Sequence, residues 1–313
     1  MNKYIQTGMR VIAIFLFGAV SLCVFSFSIN AQPMVKGEGI TKVSDHVYVI
    51  PDNSVPGVPN VGIIVGSAGT LIIDTGMGAA NGEIILEQAK KVSGNNQLYL
   101  ATTHIHPEHD LGAHAFPAAT KMIRSNDQVA EIAETGYRAR DSFSSRSETN
   151  AKLLAGAEFR KADILFADQY MLDLGGVKVQ ISAMGPNHTP GDTAFHVAEE
   201  NVLFTGDIAM KALPAFASPK SSVKHWLGSL DRLGKLQPKI VVPSHGPMGD
   251  AGYIQNYHAF LTAVQAKTAE FKKQGKSVDE TVSAVSAALE SEYGASPRIA
   301  GAIRNAYNEV DPG

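Results

Sequence analysis

His104-Ile105-His106-Pro107-Glu108-His109 places three imidazoles and a carboxylate within six residues. The segment follows an apolar run, Leu98-Tyr99-Leu100-Ala101, that reads as a β-strand, so the cluster stands where a strand ends. On extended backbone His104 and His106 point to the same side. Pro107 then breaks the extension and suits the first position of a helix, whose opening turn brings Glu108 and His109 back toward the same point. Such a cluster can hold one transition metal and begin the shell of a second, because imidazole suits zinc, iron or nickel and a carboxylate adds charge. A lone histidine is most often an ordinary core or surface residue. Four potential ligands in six residues are not, in a chain with only 10 histidines.

Outward from the cluster the chain alternates strands and helices. Residues 47–50, 61–65, 70–73 and 98–101 read as strands, with Gly66-Ser67-Ala68-Gly69 turning a hairpin and residues 51–59 forming a loop. Residues 79–92 have helical spacing, with Ile84, Ile85 and Ala89 on one face. Residues 109–116 read as helix and 121–123 as a short strand. Ser125 caps a helix that runs to about residue 137. Residues 138–160 are polar and fit either a helix or a mobile loop near the site. A second strand series covers 169–172, 177–183, 193–197 and 202–205. Residues 222–236 then read as helix, in which His225 and Trp226 are packing residues, and 240–242 as a strand. The remainder, from about residue 252, reads as three helices, with Tyr253, Tyr257, Phe260 and Val264 spaced for a buried face. Two sheets packed face to face with helices outside satisfy this order, and no linker splits the chain.

The second half supplies isolated ligand types, each just past a strand. His188 lies in Pro186-Asn187-His188-Thr189-Pro190-Gly191-Asp192, Asp207 in Thr205-Gly206-Asp207, and His245 in Pro243-Ser244-His245-Gly246. Each alone reads as a turn residue. Together with the cluster they describe a site displayed from loops at one edge of a rigid sheet.

The combination resembles the metallo-β-lactamase superfamily. Its pattern is a strand ending Ile-Asp-Thr-Gly, a His-x-His-x-Asp-His motif, then single His, Asp and His residues. This chain has Ile73-Asp74-Thr75-Gly76, the cluster, His188, Asp207 and His245 in that order, over roughly residues 38–265. The resemblance implies an α/β fold, a four-layer αβ/βα sandwich, with two metal ions, usually Zn2+, at one edge. It implies that His104, His106 and His188 hold the first metal and that His109, His245 and Glu108 hold the second. Asp207 would bridge the metals, Asp74 would orient a ligand imidazole, and Glu108 and Asp207 would be the catalytic carboxylates. Position 108 departs from the pattern, with Glu where the family has Asp. The added methylene moves the carboxylate by on the order of 1.5 Å, large against the tolerance of a metal–ligand distance. Glu108 is then a ligand reached by a compensating backbone, a ligand of a weakened second site, or a proton shuttle.

Two close cations lower the pKa of a shared water, so no serine or cysteine nucleophile is required. The expected reaction is hydrolysis of an acyl bond in a small molecule: a β-lactam, lactone, ester or thioester. Lys211, four residues past Asp207, is a candidate anchor for a substrate carboxylate. The alternatives are a mononuclear iron oxidoreductase of the same superfamily, persulfide dioxygenase-like, with iron on His104, His188 and Asp207, or a zinc-binding accessory protein decayed through Glu108.

Composition sets the remaining bounds. The 313 residues are 44% hydrophobic, enough for an ample core. The formal net charge of -3 gives no electrostatic case for a nucleic-acid partner. Lys3 and Arg10, the apolar run 11–27 and Ala31 resemble a secretory signal over residues 1–31, with an uncleaved anchor as the alternative. Residues 32–313 then form one domain, periplasmic or secreted, with no stable membrane association after cleavage. Cys23, the single cysteine, falls in the leader, so the mature chain carries no thiolate ligand or nucleophile.

Overall fold

The computed structural model describes residues 33–310; the leader expected over residues 1–31 lies outside them. The first half builds a seven-stranded sheet in chain order. Its strands are β1 (Thr41–Lys42), β2 (Val47–Ile50), β3 (Val61–Val65), β4 (Thr70–Ile73), β5 (Leu98–Ala101), β6 (Lys121–Ser125) and β7 (Ile164–Phe166). The second half builds a five-stranded sheet from β8 (Gln169–Asp173), β9 (Lys178–Ala183), β10 (Thr193–Val197), β11 (Val202–Gly206) and β12 (Ile240–Pro243), in the order β12-β11-β10-β9-β8. Strands β4 to β7 are parallel to one another, as are β11 and β12. Their C-terminal ends carry the loops that matter for function.

Alternation along each strand makes the layers. Leu71 and Ile73 of β4 face the second sheet and pack with Ile181, Phe195, Val202 and Phe204. Ile72, between them, turns to the other side and packs with Ile85 and Ala89 of α1 (Gly78–Val92). In β11 Phe204 faces inward, while Leu203 joins an outer core with Trp226 and Leu230 of α6 (Val223–Gly234). The same outer core takes Tyr257 and Phe260 of α7 (Gly252–Lys273), Val285 of α8 (Val278–Tyr293) and Ile299 of α9 (Pro297–Glu309). The sequence of layers is helix, sheet, sheet, helix. Gly62 permits the close approach of the sheets, since a Cβ there would lie 2.5 Å from the Phe204 ring.

Several elements differ from the sequence reading. Residues 109–116 are not one helix. A single turn, α2 (Pro107–Asp110), ends before a separate 3-10 turn at Ala113–Ala115. Gly112 between them lies so close to the Thr75 carbonyl that a Cβ would meet its oxygen at 1.9 Å. The helix capped by Ser125 does not stop near residue 137. It runs as α3 (Asn126–Glu131), a wider π turn at Ile132–Gly136, and α4 (Tyr137–Ser144), followed by α5 (Glu148–Leu153). Residues 138–160 are thus largely helical. Tyr253 is only half-buried, whereas Tyr257, Phe260 and Val264 are core. No helix among the described residues is long and apolar enough to cross a membrane.

Candidate metal centre

The side chains singled out in the sequence meet at one edge of the two sheets. His104 and the α2 turn follow β5, His188 follows β9, Asp207 follows β11 and His245 follows β12. Hydrogen bonds between the halves fix this edge. Asn60 donates from its backbone N–H to the Ser244 carbonyl at 2.7 Å, and from Nδ2 to the carbonyls of Pro243 and Gly246. Thr193 N–H donates to the Thr103 carbonyl at 2.7 Å. Gly206, at φ 58, presses against Thr103 and aims the chain at Asp207; a Cβ there would lie 2.8 Å from Thr103 Cβ.

The imidazoles form a chain of rings. Centroids of His109 and His104 are 4.2 Å apart, His104 and His106 4.6 Å, His106 and His188 5.0 Å, and His109 and His245 5.2 Å. Three sets of donor atoms converge: His104, His106 and His188; His104, His109 and Asp207; and Glu108, His109 and His245, each within 4.8 Å. Asp207 Oδ2 lies 3.5 Å from His188 Nε2, so this carboxylate stands between the first set and the third. The longer Glu108 side chain brings its carboxylate into the third set, with Oε1 4.0 Å from His109 Nε2.

Four of the five histidines have their outward-facing ring nitrogen committed elsewhere. His188 Nδ1 donates to the Ala215 carbonyl at 2.6 Å and His245 Nδ1 to the Val58 carbonyl at 3.0 Å. His109 Nδ1 donates to Asp74 Oδ2 at 2.8 Å. Asp74, at φ 66, also accepts from the Thr103 N–H and hydroxyl, and that hydroxyl lies 3.2 Å from His104 Nδ1. These bonds fix the tautomers and turn the Nε2 lone pairs inward.

The inward atoms lack partners of the right kind. His104 Nε2 and His188 Nε2 lie 2.9 and 3.3 Å from His106 Nδ1, and a single N–H on His106 cannot satisfy both. Glu108 Oε2, His109 Nε2 and Asp207 Oδ1 are buried with no hydrogen-bond partner among the described residues. A buried polar atom left unpaired costs about 1–3 kcal/mol. Two cations, one at the first set and one at the third with Asp207 between them, would satisfy these atoms, and the donor set of imidazole and carboxylate suits zinc. The residues present fit the metals the fold implies.

The electrostatics agree at His104, His106 and Asp207, while on His109 they hold a proton that a bound cation would displace. Burial, then the neighbouring imidazoles, holds His104 and His106 well below the usual histidine value, which keeps them in the neutral, ligating form. Burial opposes charge on His109, but Asp74, by charge and hydrogen bond, and then Glu108 and Asp207, push it up to about 9. Burial would raise Asp207; His188, His245, His109 and His106 outweigh it and hold the carboxyl well below its ordinary value.

The sequence pattern of the metallo-beta-lactamase superfamily matches residues 54–245. The chain belongs to that superfamily. It is 22% identical over 242 residues to the human acyl-coenzyme A thioesterase MBLAC2, covering 67% of this chain and 78% of that one. Among solved structures it resembles the stereoselective inverting sec-alkylsulfatase Pisa1 from Pseudomonas sp., with a TM-score of 0.68 at 14% identity over 87% of this chain. This chain spans 50% of that enzyme's length. A metallo-beta-lactamase family protein from Thermus thermophilus aligns with a TM-score of 0.59 at 19% identity, covering 86% of this chain and 92% of that one. These likenesses establish the fold.

Some site residues gave no signal in the sequence. Asp52 accepts from Gly246 N–H at 2.7 Å and so ties the His245 loop to the 51–60 loop. Arg124 makes a bidentate pair with Asp110 at 2.6 and 2.7 Å, both fully buried beneath α2. Phe143 of α4 lies 5.6 Å, ring to ring, from His106. The adjacency of Asp110 to the histidine cluster was the one available hint. Lys211 is exposed and, among the described residues, takes no part in this hydrogen-bond network.

Proposed function

We propose that this chain is an exported, zinc-dependent hydrolase of an acyl bond in a small molecule. The observation that carries the reading is the convergence of seven donor side chains from separate loops, three of them with buried atoms that have no partner among the described residues. His104, His106 and His188 hold one metal ion, and Glu108, His109 and His245 hold the other, with Asp207 shared. Metal ions held there would supply acidified water and polarisation of the scissile carbonyl, which is the chemistry hydrolysis at neutral pH needs. The protein keeps His104 and His106 neutral, keeps Asp207 ionised, and holds the His109 ring against Asp74. The half-buried His106, Asp207 and His245 form the open side, while His104 and His109 form the closed floor. Substrate therefore enters over the rim where the half-buried His106 and His245 reach the surface.

The likeness to an acyl-coenzyme A thioesterase puts thioesters in the panel beside esters, lactones and β-lactams, and the alkylsulfatase likeness adds an alkyl sulfate. The test is that panel run on zinc-loaded protein, with oxygen uptake followed in parallel. Hydrolysis of one acyl class without oxygen uptake is expected. Oxygen uptake with an iron-loaded protein and no hydrolysis would instead assign the oxidoreductase reading, and zinc binding with neither reaction would assign the accessory one. Mass spectrometry of exported protein is expected to find a mature chain beginning near Gln32.

A further inference from the structure

Arg146 stands at the rim of the site with no carboxylate paired to it among the described residues. It sits in the short link between α4 and α5, with an exposed side chain. Its guanidinium carbon lies 3.4 Å from the centre of the Phe143 ring, at stacking distance. Phe143 is buried, and its ring centre lies 5.6 Å from that of His106 with the planes tilted by 35°. One aromatic ring thus touches both an imidazole of the metal centre and a cation. Arg140, on the same helix, differs: it is bound to Asp141 and Glu158.

Stacking restrains a guanidinium without occupying its hydrogen-bonding edge. The cation is held by the ring face, while its N–H groups point outward in the plane and remain free for a forked contact with an oxyanion. We propose that Arg146, held on Phe143, is the specificity-determining anchor for an anionic group, a carboxylate or phosphate, that the substrate carries beyond His106, remote from the bond cut. The proposal rests on hydrolysis at the metal centre and names the substrate class: acyl compounds with a remote anion. Lys211, the cation the sequence offered for this role, is exposed and makes no side-chain hydrogen bond or ion pair among the described residues.

The test uses zinc-loaded full-length protein and three aryl esters of equal chain length: neutral hexanoate, the half-ester of adipic acid, and a phosphate-terminated counterpart. Wild type is expected to prefer an anionic ester. Arg146→Gln is expected to lower the ratio of kcat/KM, anionic over neutral, by about five- to thirtyfold, with the loss in KM and not in kcat. Added salt should shrink the wild-type preference in the same direction. Arg146→Lys should recover only part of it, because the charge returns without the planar fork. The anion whose ester depends more on Arg146 is the one assigned. An unchanged ratio in Arg146→Gln, or an equal loss on neutral and anionic esters, would overturn the proposal. Should no ester be cleaved, the wider acyl panel decides the hydrolase reading separately, and calorimetric binding of adipate against hexanoate reads the anchor by itself. Tighter binding of adipate that is lost in Arg146→Gln supports it; equal binding of the two acids overturns it.

Discussion

Glu108 carries one more methylene than the aspartate of the superfamily motif, and the site absorbs it. Its carboxylate reaches the set formed with His109 and His245, and its Oε2 is buried without a partner among the described residues. This placement supports the proposed ligand role. Glu108→Ala is expected to lower zinc content toward one ion per chain, with activity falling alongside. Elemental analysis of purified variant protein checks this; zinc unchanged while turnover falls would instead make Glu108 a proton shuttle. Asp74 acts one bond further out. It orients the His109 ring at 2.8 Å and fixes Thr103 through two further bonds. Asp74→Asn is expected to weaken metal binding by about 10- to 100-fold, read by competition with a chelating dye. An affinity equal to wild type would remove Asp74 from the positioning role.

At the scale of elements, α3 ties the His188 loop to the first sheet. Glu131 accepts from the Gly191 N–H at 2.8 Å, and Gln128 donates to the Thr102 carbonyl at 2.7 Å. Burial, with Glu134 nearby, outweighs the hydrogen bonds from Gly191 and Thr189 and the charge of Lys220, and raises the Glu131 carboxyl from 4.5 to about 7. The folded chain then holds this proton more tightly than the unfolded chain. The stability that Glu131 contributes is present in full below pH 4.5 and is lost as pH rises through about 7. Glu131→Gln keeps an acceptor for Gly191 and cannot ionise. It is expected to be more stable than wild type at pH 8, by on the order of 1–3 kcal/mol, and no more stable at pH 5. Urea unfolding at the two pH values checks this, and parallel stability profiles would contradict it. The elements also show what the sequence could express. Strands with continuous apolar runs, such as Val61–Val65 and Val202–Gly206, were legible because both faces are buried. The edge strands β1 and β7, of two and three residues, are too short to carry a period. Helix α4 buries only Phe143, so it shows no apolar face to read.

For the whole molecule, the site exists because two sheets from different halves of the chain meet at one edge. The histidine motif, His188, Asp207 and His245 were legible as ligand types past strand ends. Asn60, Asp52 and Thr103 were not, because they act through backbone groups of segments far apart in sequence. The loops past β5, β9, β11 and β12 converge only when both sheets form and pack, so the metal centre reports on the whole fold. The most direct measurement is anomalous diffraction at the zinc edge from crystals of zinc-loaded protein. Two peaks about 3.5–4 Å apart are expected, one against His104, His106 and His188, the other against Glu108, His109 and His245, with Asp207 between them. A single peak, or peaks outside reach of His188 and His245, would contradict the two-metal centre.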